Sequence, residues 1–368
     1  VSNLNIGCNF SSDHVKAIIG LVTFQRDNGY PNRIARVYGS PGILNPFGST
    51  RPRRREVDVT MSDYMDGIEL LRDANVEITW TMNSLVPAFR DGASNYTDVV
   101  NWIQNSYNRY MFDSLIVSHP AIMDLLVSST NNFGRVVRQP TLPVTISTIM
   151  NVHTIAHLKW IKKHWPNVIS VCPALWRNRD TEWLARANEI IPLELLVNEF
   201  CTIGGIECEG LYRQSCYLAQ CTDQTWNPMD VCRPSRFEHP EAWLKAKFIL
   251  PDWIVAYTQK TGITRFKITG RTHPAEFIRN VGQMYITGKG SGNLLALWGQ
   301  LEATYVNQGQ NQIQKEMLQK YPNIPIEFLA DKRYFLNPAC SSDACSDTCE
   351  HCTRLYQQII EGQKDGQQ

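Results

Sequence analysis

Leu193-Glu-Leu-Leu-Val-Asn-Glu-Phe-Cys201 is the stretch on which the reading of this chain turns. Its run over Leu193–Phe200 has the length and composition of a buried strand, and it gives out at a cysteine. Seven runs of the same kind accompany it: Leu4–Cys8, Ile34–Gly39, Val76–Asn83, Ser114–Ser118, Pro143–Met150, Val168–Pro173 and Arg265–Thr269. Most are short, β-branched and read as apolar on both faces, as parallel strands beneath helices should be. Between them lie amphipathic stretches such as Met61–Ala74, which opens on a cap-like Thr60-x-x-Asp63 start, and Tyr96–Tyr110. Eight strands, each followed by a helix or a long excursion, predict an α/β fold of the (β/α)8 TIM-barrel type. A doubly wound open sheet is the alternative.

Two connections break the regular spacing. Ser40–Arg55 is a Gly/Pro/Ser loop ending in Arg51-Pro-Arg53-Arg54-Arg55, and Cys201–Pro240 is a 40-residue, cysteine-rich insertion after strand 7. Long loops in a compact domain are usually functional or disordered, and both of these leave the C-terminal ends of strands, where barrel enzymes place their active sites. Helices are expected at about His273–Ile286 and Leu294–Lys320, and the tail Tyr321–Gln368 carries a second group of cysteines before a last helix. The division expected is a catalytic barrel over 1–290, with a cluster-binding loop over 201–240, and a C-terminal helical extension over 291–368.

Nine of the eleven cysteines fall in two groups: Cys201, Cys208, Cys216, Cys221 and Cys232, then Cys340, Cys345, Cys349 and Cys352. Disulfide frameworks belong mainly to small secreted domains, whereas 368 residues with 43% apolar content bury a large core without staples. Val1 to Ile6 show no basic-then-apolar leader, and the cysteine count is odd. These features point to a reducing, cytoplasmic interior; Asn9-Phe-Ser and Asn95-Tyr-Thr match the glycosylation acceptor pattern, which also arises by chance. No apolar run approaches the ~18 residues needed to span a bilayer. A net charge of +1 gives no field to gather nucleic acid or anionic lipid, so nucleic-acid binding is not supported.

Clustered thiols in a reducing compartment are soft metal ligands. The first group has intervening spacings of 6, 7, 4 and 10 residues, which fit no zinc finger with its tight Cys-x2–4-Cys pairs. Irregular spacing around a strand end suits an iron–sulfur cluster better; zinc and unliganded or disulfide-bonded thiols are the other readings. The terminal group sets four thiols within 13 residues of a polar segment, a metal site in which zinc and iron–sulfur stand level. There Cys349-x2-Cys352 opens the last helix, whose N-terminal dipole favours thiolate. Cys8 and Cys172 end strands and read chiefly as small core residues.

Polar residues at strand ends are the other candidates: Asn83, His119, and Asn198 with Glu199. His153 and His157 stand one helical turn apart without a third ligand in sight. The run Arg51–Arg55 reads as a solvated loop, with a guanidinium clamp on an anion as the sharper alternative. The chain has no Gly-x-Ser-x-Gly elbow, no phosphate-binding glycine loop and no His-Glu-x-x-His, so serine hydrolases, nucleotide hydrolases and zinc proteases lack their usual parts.

At this point a family likeness enters. The strand and cysteines of Leu193–Cys208 resemble the signature of peptidase family U-32, the collagenase-like peptidases, and Val231-Cys232-Arg-Pro-Ser-Arg-Phe237 is similar to a later cysteine segment of that family. Phe266-Lys-Ile-Thr-Gly-Arg271 resembles its Lys-Ile-Glu-Gly-Arg strand, with Thr269 in place of the acid. Ile249-Leu-Pro-Asp-Trp253 and the cysteine-rich tail resemble one subgroup. The resemblance implies a barrel holding a 4Fe–4S cluster on Cys201, Cys208 and Cys232, with Cys221 or Cys216 as fourth ligand. It implies Lys267 and Arg271 facing an anionic substrate group. The better-understood members of the family are oxygen-independent hydroxylation enzymes acting on RNA or on an aromatic quinone precursor. The function expected here is therefore an iron–sulfur oxidoreductase hydroxylating a small anionic or aromatic, carboxylate-bearing metabolite, with a redox or complex partner protein. The alternatives are a non-catalytic iron–sulfur partner protein and a metal-dependent peptidase.

Overall fold

The computed structural model describes residues 1–41, 59–84, 94–127, 142–199, 238–299, 321–330, 340 and 349–365. Eight strands alternate with helices: β1 (Asn3–Gly7), α1 (Ser12–Asp27), β2 (Arg33–Gly39), α2 (Met61–Asp73), β3 (Glu77–Met82), α3 (Tyr96–Asn108), β4 (Ser114–Val117), α4 (Pro120–Val127), β5 (Val144–Ile146), α5 (Ile155–His164), β6 (Val168–Val171), α6 (Thr181–Ile190), β7 (Glu194–Leu196), α7 (Ile254–Thr261), β8 (Arg265–Ile268) and α8 (Ala275–Thr287). All paired strands run parallel, in the order β6-β5-β4-β3-β2-β1-β8-β7. The two ends of that order meet: Val171 bridges Leu193 in parallel, and its N–H donates to Pro192 O at 3.0 Å. The sheet is thus a nearly closed (β/α)8 barrel, and the open doubly wound alternative falls away.

Local chemistry sets the element ends. The Thr60 hydroxyl caps α2, accepting from Asp63 N at 3.1 Å and donating to the Asp63 carboxylate at 2.7 Å. Asn95 caps α3 in the same way through Asp98 N. The run Pro143–Met150 is strand only to Ile146, because Ser147 caps a 3-10 turn over Thr148–Met150. The expected helix from Leu294 is, over Leu294–Trp298, a 3-10 segment stopped by Gly299 at φ +64°; residues 300–320 lie outside the described set.

One expectation about the strands is corrected. They are apolar on one face, not two. Leu4, Ile6, Ile78, Trp80, Phe266 and Ile268 join the contiguous core that packs beneath the helices. Burying such side chains stabilises by about 1.5–3 kcal/mol each. The alternate positions, among them Asn5, Thr79, Thr145, Glu194 and Lys267, carry buried polar groups that face the barrel axis. Two register shifts keep this pattern in step. Leu4 pairs with Ile34 but Asn5 with Arg36, leaving Ala35 unpaired, and Val144 pairs with Val168 but Thr145 with Ser170, leaving Ile169 unpaired. Each extra residue rotates its strand, turning Arg36 and Ser170 inward.

The C-terminal helix, His351–Asp365, packs on a 3-10 segment over Pro240–Lys245. Cys352, Leu355 and Ile359 from its inner face belong to the same contiguous core as the barrel. Among the described residues, no helix is long and apolar enough to cross a membrane.

Candidate active site

Barrel interiors are usually filled with branched apolar side chains. This one holds charge. Glu194, 1% exposed, accepts from Asn5 Nδ2 at 2.7 Å, and the same oxygen lies 3.7 Å from Arg36 Nη1. Its other oxygen lies 3.7 Å from Lys267 Nζ. The Lys267 ammonium sits 4.1 Å from the centroid of the Tyr38 ring, whose hydroxyl donates to Ile268 O at 2.8 Å. Arg36 also meets Glu77 at 3.0 Å near the lower, open end, and Arg265 donates to Ile169 O at 2.9 Å. Burial and the neighbouring Arg36 charge push the Arg265 guanidinium below its ordinary value, against Glu194 and Glu77. On the opposite wall, Thr79 pairs with Ser114 and Thr145 with Ser170 through hydroxyl–hydroxyl bonds of 2.7 Å.

Above this layer the strand ends form the rim. Cys172 follows β6 and its thiol donates to Glu194 O at 3.0 Å; burial raises it to about 12, with Lys267 opposing. Cys8 is different: it lies in the core beneath the helices, its thiol likewise raised to about 12 by burial. Asn83 reaches the Ser147 hydroxyl at 3.4 Å. His119 accepts at Nδ1 from Ala121 N at 3.3 Å, so the neutral ring carries its proton on Nε2 and donates to Tyr96 Oη at 3.1 Å. Burial holds His119 below the ordinary histidine value.

Asn198 does not have a free side chain to offer to a reaction. Its amide donates to Thr269 O at 3.2 Å and Leu297 O at 2.9 Å, and its oxygen accepts from Thr269 N at 2.6 Å and Thr269 Oγ1 at 3.0 Å. All four of these bonds go to backbone or side-chain groups around the ends of β7 and β8, so its side chain braces the two strand ends. Arg271 follows Gly270, whose φ of +135° and contact with Phe277 admit no side chain. A Cβ on Gly7 would lie 2.9 Å from Arg271 N, so the chain beyond β8 lies directly over the end of β1.

Arg179, 1% exposed, is a further structural cation. It donates to Leu244 O at 3.1 Å, to Ala246 O, and to Cys340 Sγ at 3.5 Å, joining the turn after β6 to the tail. Cys349 is exposed and Cys352 buried, each at the start of the last helix; Cys345 lies outside the described residues. Burial, and to a smaller extent the neighbouring His153, holds His157 below the ordinary histidine value. Among the described residues no three His, Cys, Asp or Glu side chains converge as a metal site.

No family model matches the chain. An uncharacterized protease of Methanocaldococcus jannaschii is 28% identical over 204 residues, 54% of this chain and 56% of that protein. The chain thus matches little more than half the length of that curated relative. A solved U32 peptidase, Mk0906, aligns over 74% of this chain and 94% of its own at 11% identity, with a TM-score of 0.47. N-acetylneuraminate lyase of Proteus mirabilis aligns over 72% and 90% at 13% identity and a TM-score of 0.32. The chain resembles the U-32 peptidases.

The cysteines expected from sequence to hold a cluster are Cys201, Cys208 and Cys232, with Cys221 or Cys216. These five cysteines lie outside the described residues, as do Arg51–Arg55. The chain leaves β7 at the rim and is at the rim again by Lys247–Ile249. Glu199 stands just past β7, and the returning chain runs beside it, Ile249 N donating to Val197 O at 2.8 Å. Asn178 holds Lys247 O at 2.9 Å, fixing that return. Five thiols in one segment have the donor chemistry a cluster needs. Sequence reasoning missed Glu194, Arg36, Asn5, Tyr38 and Arg179. The available signal was the isolated polar residue inside each apolar run, as in Leu4-Asn5-Ile6 and Leu193-Glu194-Leu195.

Proposed function

We propose that the protein is an iron–sulfur enzyme that takes a small carboxylate-bearing or aromatic molecule at the C-terminal mouth of its barrel and hydroxylates it without dioxygen. The observation that carries this reading is the Lys267 ammonium. It is only 6% exposed, makes no hydrogen bond to any described residue, and lies beneath the rim where β7 ends and the five-cysteine segment begins. An ammonium held only by a carboxylate at 3.7 Å and a ring face keeps its N–H donors for a ligand. Lys267 and Arg271 would hold the anionic group, the hydroxyls of the mouth would orient the remainder, and Asn83 and His119 would border it.

A cluster on Cys201, Cys208 and Cys232, with Cys221 or Cys216, would supply Lewis-acid or electron-transfer chemistry when bound. The tail thiols Cys340, Cys345, Cys349 and Cys352 would hold a second metal, zinc or iron–sulfur, on the 291–368 extension. A cytoplasmic setting suits both, and an electron-donating or complex partner protein goes with the redox chemistry. Anaerobic purification with iron, sulfide and zinc counts tests the reading, repeated on Cys201→Ser and Cys349→Ser. The expected result is about four irons lost with Cys201→Ser and kept in part or whole with Cys349→Ser. Iron that survives Cys201→Ser undiminished, or absorbance near ~400 nm that disappears with no loss of turnover, would overturn it.

The peptidase reading has one specific support, the protease name of the Methanocaldococcus jannaschii relative. Among the described residues no serine or cysteine side chain hydrogen-bonds a histidine ring, so a nucleophile–base pair has no candidate there. Hydrolysis of a peptide library by protein stripped of iron and zinc would restore that reading.

A further inference from the structure

We infer that Glu194 is a positioning residue, a buried carboxylate that holds the Lys267 ammonium against Tyr38 under the barrel mouth so that its N–H donors face an anionic ligand. The inference rests on the anionic-substrate reading above and deepens it.

Three observations meet at this point. First, the Glu194 carboxylate is itself fixed: Asn5 Nδ2 donates to one oxygen at 2.7 Å and Arg36 Nη1 lies 3.7 Å from that oxygen. The other oxygen is directed toward Lys267 and has no hydrogen-bond partner of its own. Second, Lys267 touches Glu194 by charge at 3.7 Å and Tyr38 by its ring at 4.1 Å, and both contacts are longer than a hydrogen bond. An ammonium stem with four rotatable carbons has no preferred direction of its own, so these two contacts define where the charge sits. Third, Lys267 pairs with Asn5, the middle residue of β1, and with Leu196, the last of β7, so it stands one residue below the end of β8 and directly under the rim. Burying a carboxylate carries a desolvation cost that fold stability alone does not require here, since branched apolar residues fill most barrels at this level. Holding a cation ready for a ligand accounts for it.

The test uses the full chain purified anaerobically, with lysine labelled at Cε and Nζ for NMR. In the wild type the Lys267 Hε protons, lying over the Tyr38 ring, resonate upfield; Tyr38→Leu removes that displacement and identifies the signal. Malonate serves as the anionic probe. In Glu194→Gln the Lys267 signal is expected to move toward the free-lysine position, and malonate to bind at least tenfold more weakly. Glu194→Asp restores part of both, and Asn5→Ala, which keeps the carboxylate but removes its anchor, produces a smaller change in the same direction. Circular dichroism melts confirm that each variant is folded. The direction is decisive, because removal of a negative charge with Lys267 left in place would tighten malonate binding. Tighter or unchanged binding, or an unmoved Lys267 signal in both Glu194→Gln and Asn5→Ala, overturns the inference. Absence of malonate binding to the wild type would instead sink the anionic-substrate reading, with the ring-shift arm still deciding the role of Glu194.

Discussion

Asn198 and Thr269 are locked together at the ends of β7 and β8, the Asn198 side-chain oxygen accepting from Thr269 N at 2.6 Å and from its hydroxyl at 3.0 Å. This clamp sits two residues beyond β7 and one beyond β8, between the cysteine segment on one side and Arg271 on the other. Asn198→Ala removes four hydrogen bonds from a fully buried position. It is expected to destabilise by about 2–4 kcal/mol in urea melts, since each such bond contributes ~1 kcal/mol net. Asn198→Asp keeps the acceptor yet faces Thr269 O and Leu297 O without donors, so it should fare no better than alanine.

Gly270 is predicted to be intolerant of any side chain. Its φ is +135°, and a Cβ there would stand 2.4 Å from the Phe277 ring. Gly270→Ala should cost about 2 kcal/mol or more, read as a lowered unfolding midpoint. It should also displace Arg271, so any anion affinity measured at the mouth should drop with it. Gly20→Ala, on α1 with open space around its position, is the matched control and should be neutral or slightly stabilising.

His14 sets a pH dependence. Its Nε2 donates to His273 O at 2.8 Å, which leaves a buried Nδ1 that has no partner and would carry the second proton. Burial lowers this histidine below its ordinary value, against smaller opposing effects of the His273 carbonyl and Asp13. A lowered folded-state value means that the unfolded chain takes up the proton first. The stability contribution is therefore complete above about pH 6.5 and is lost as pH falls through the lower folded value. The difference between wild-type and His14→Gln urea-melt stabilities, followed from pH 7.5 down to pH 5 (roughly the histidine range), should shrink as pH falls. A constant difference would show that His14 carries no linked proton.

The thiols should separate cleanly by reactivity. Burial raises Cys8 and Cys172 to about 12, so near pH 8 almost none of either is thiolate and neither side chain is accessible. Cys349 is exposed. In chelator-treated protein, iodoacetamide should label Cys349 within minutes, while the Cys8 and Cys172 peptides stay unmodified until denaturant is added. Rapid native labelling of Cys172, detected by peptide mass spectrometry, would contradict its placement inside the barrel.

Much of the barrel is legible in the sequence. All eight strands fall where short apolar runs end in turn-forming residues, and the Thr60 and Asp63 pairing reports its own helix start. The rim candidates were found because strand ends are where barrels expose polar groups. Their uses were not legible. Asn83, His119 and Asn198 look alike in sequence, yet Asn198 is consumed by backbone partners 71 and 99 residues away, and His119 is shared between Tyr96 and Ala121. Sequence offers no signal for which carbonyl a side chain will meet.

The sequence by itself determined the repeat of strand and helix, the parallel barrel, the two cysteine groups and the likeness to the U-32 peptidases, because each rests on local spacing and composition. Only the tertiary structure decided that the polar residue within each strand faces inward. Two unpaired residues, Ala35 and Ile169, turn Arg36 and Ser170 inward, and the unshifted pairing of β1 and β7 with β8 brings Glu194 to Asn5 across 189 residues. Alternation along a strand fixes which residues share a face, but closure of the sheet fixes which face is the inside. That closure is what gathers Glu194, Lys267, Arg36 and Tyr38 into one charged centre beneath the mouth.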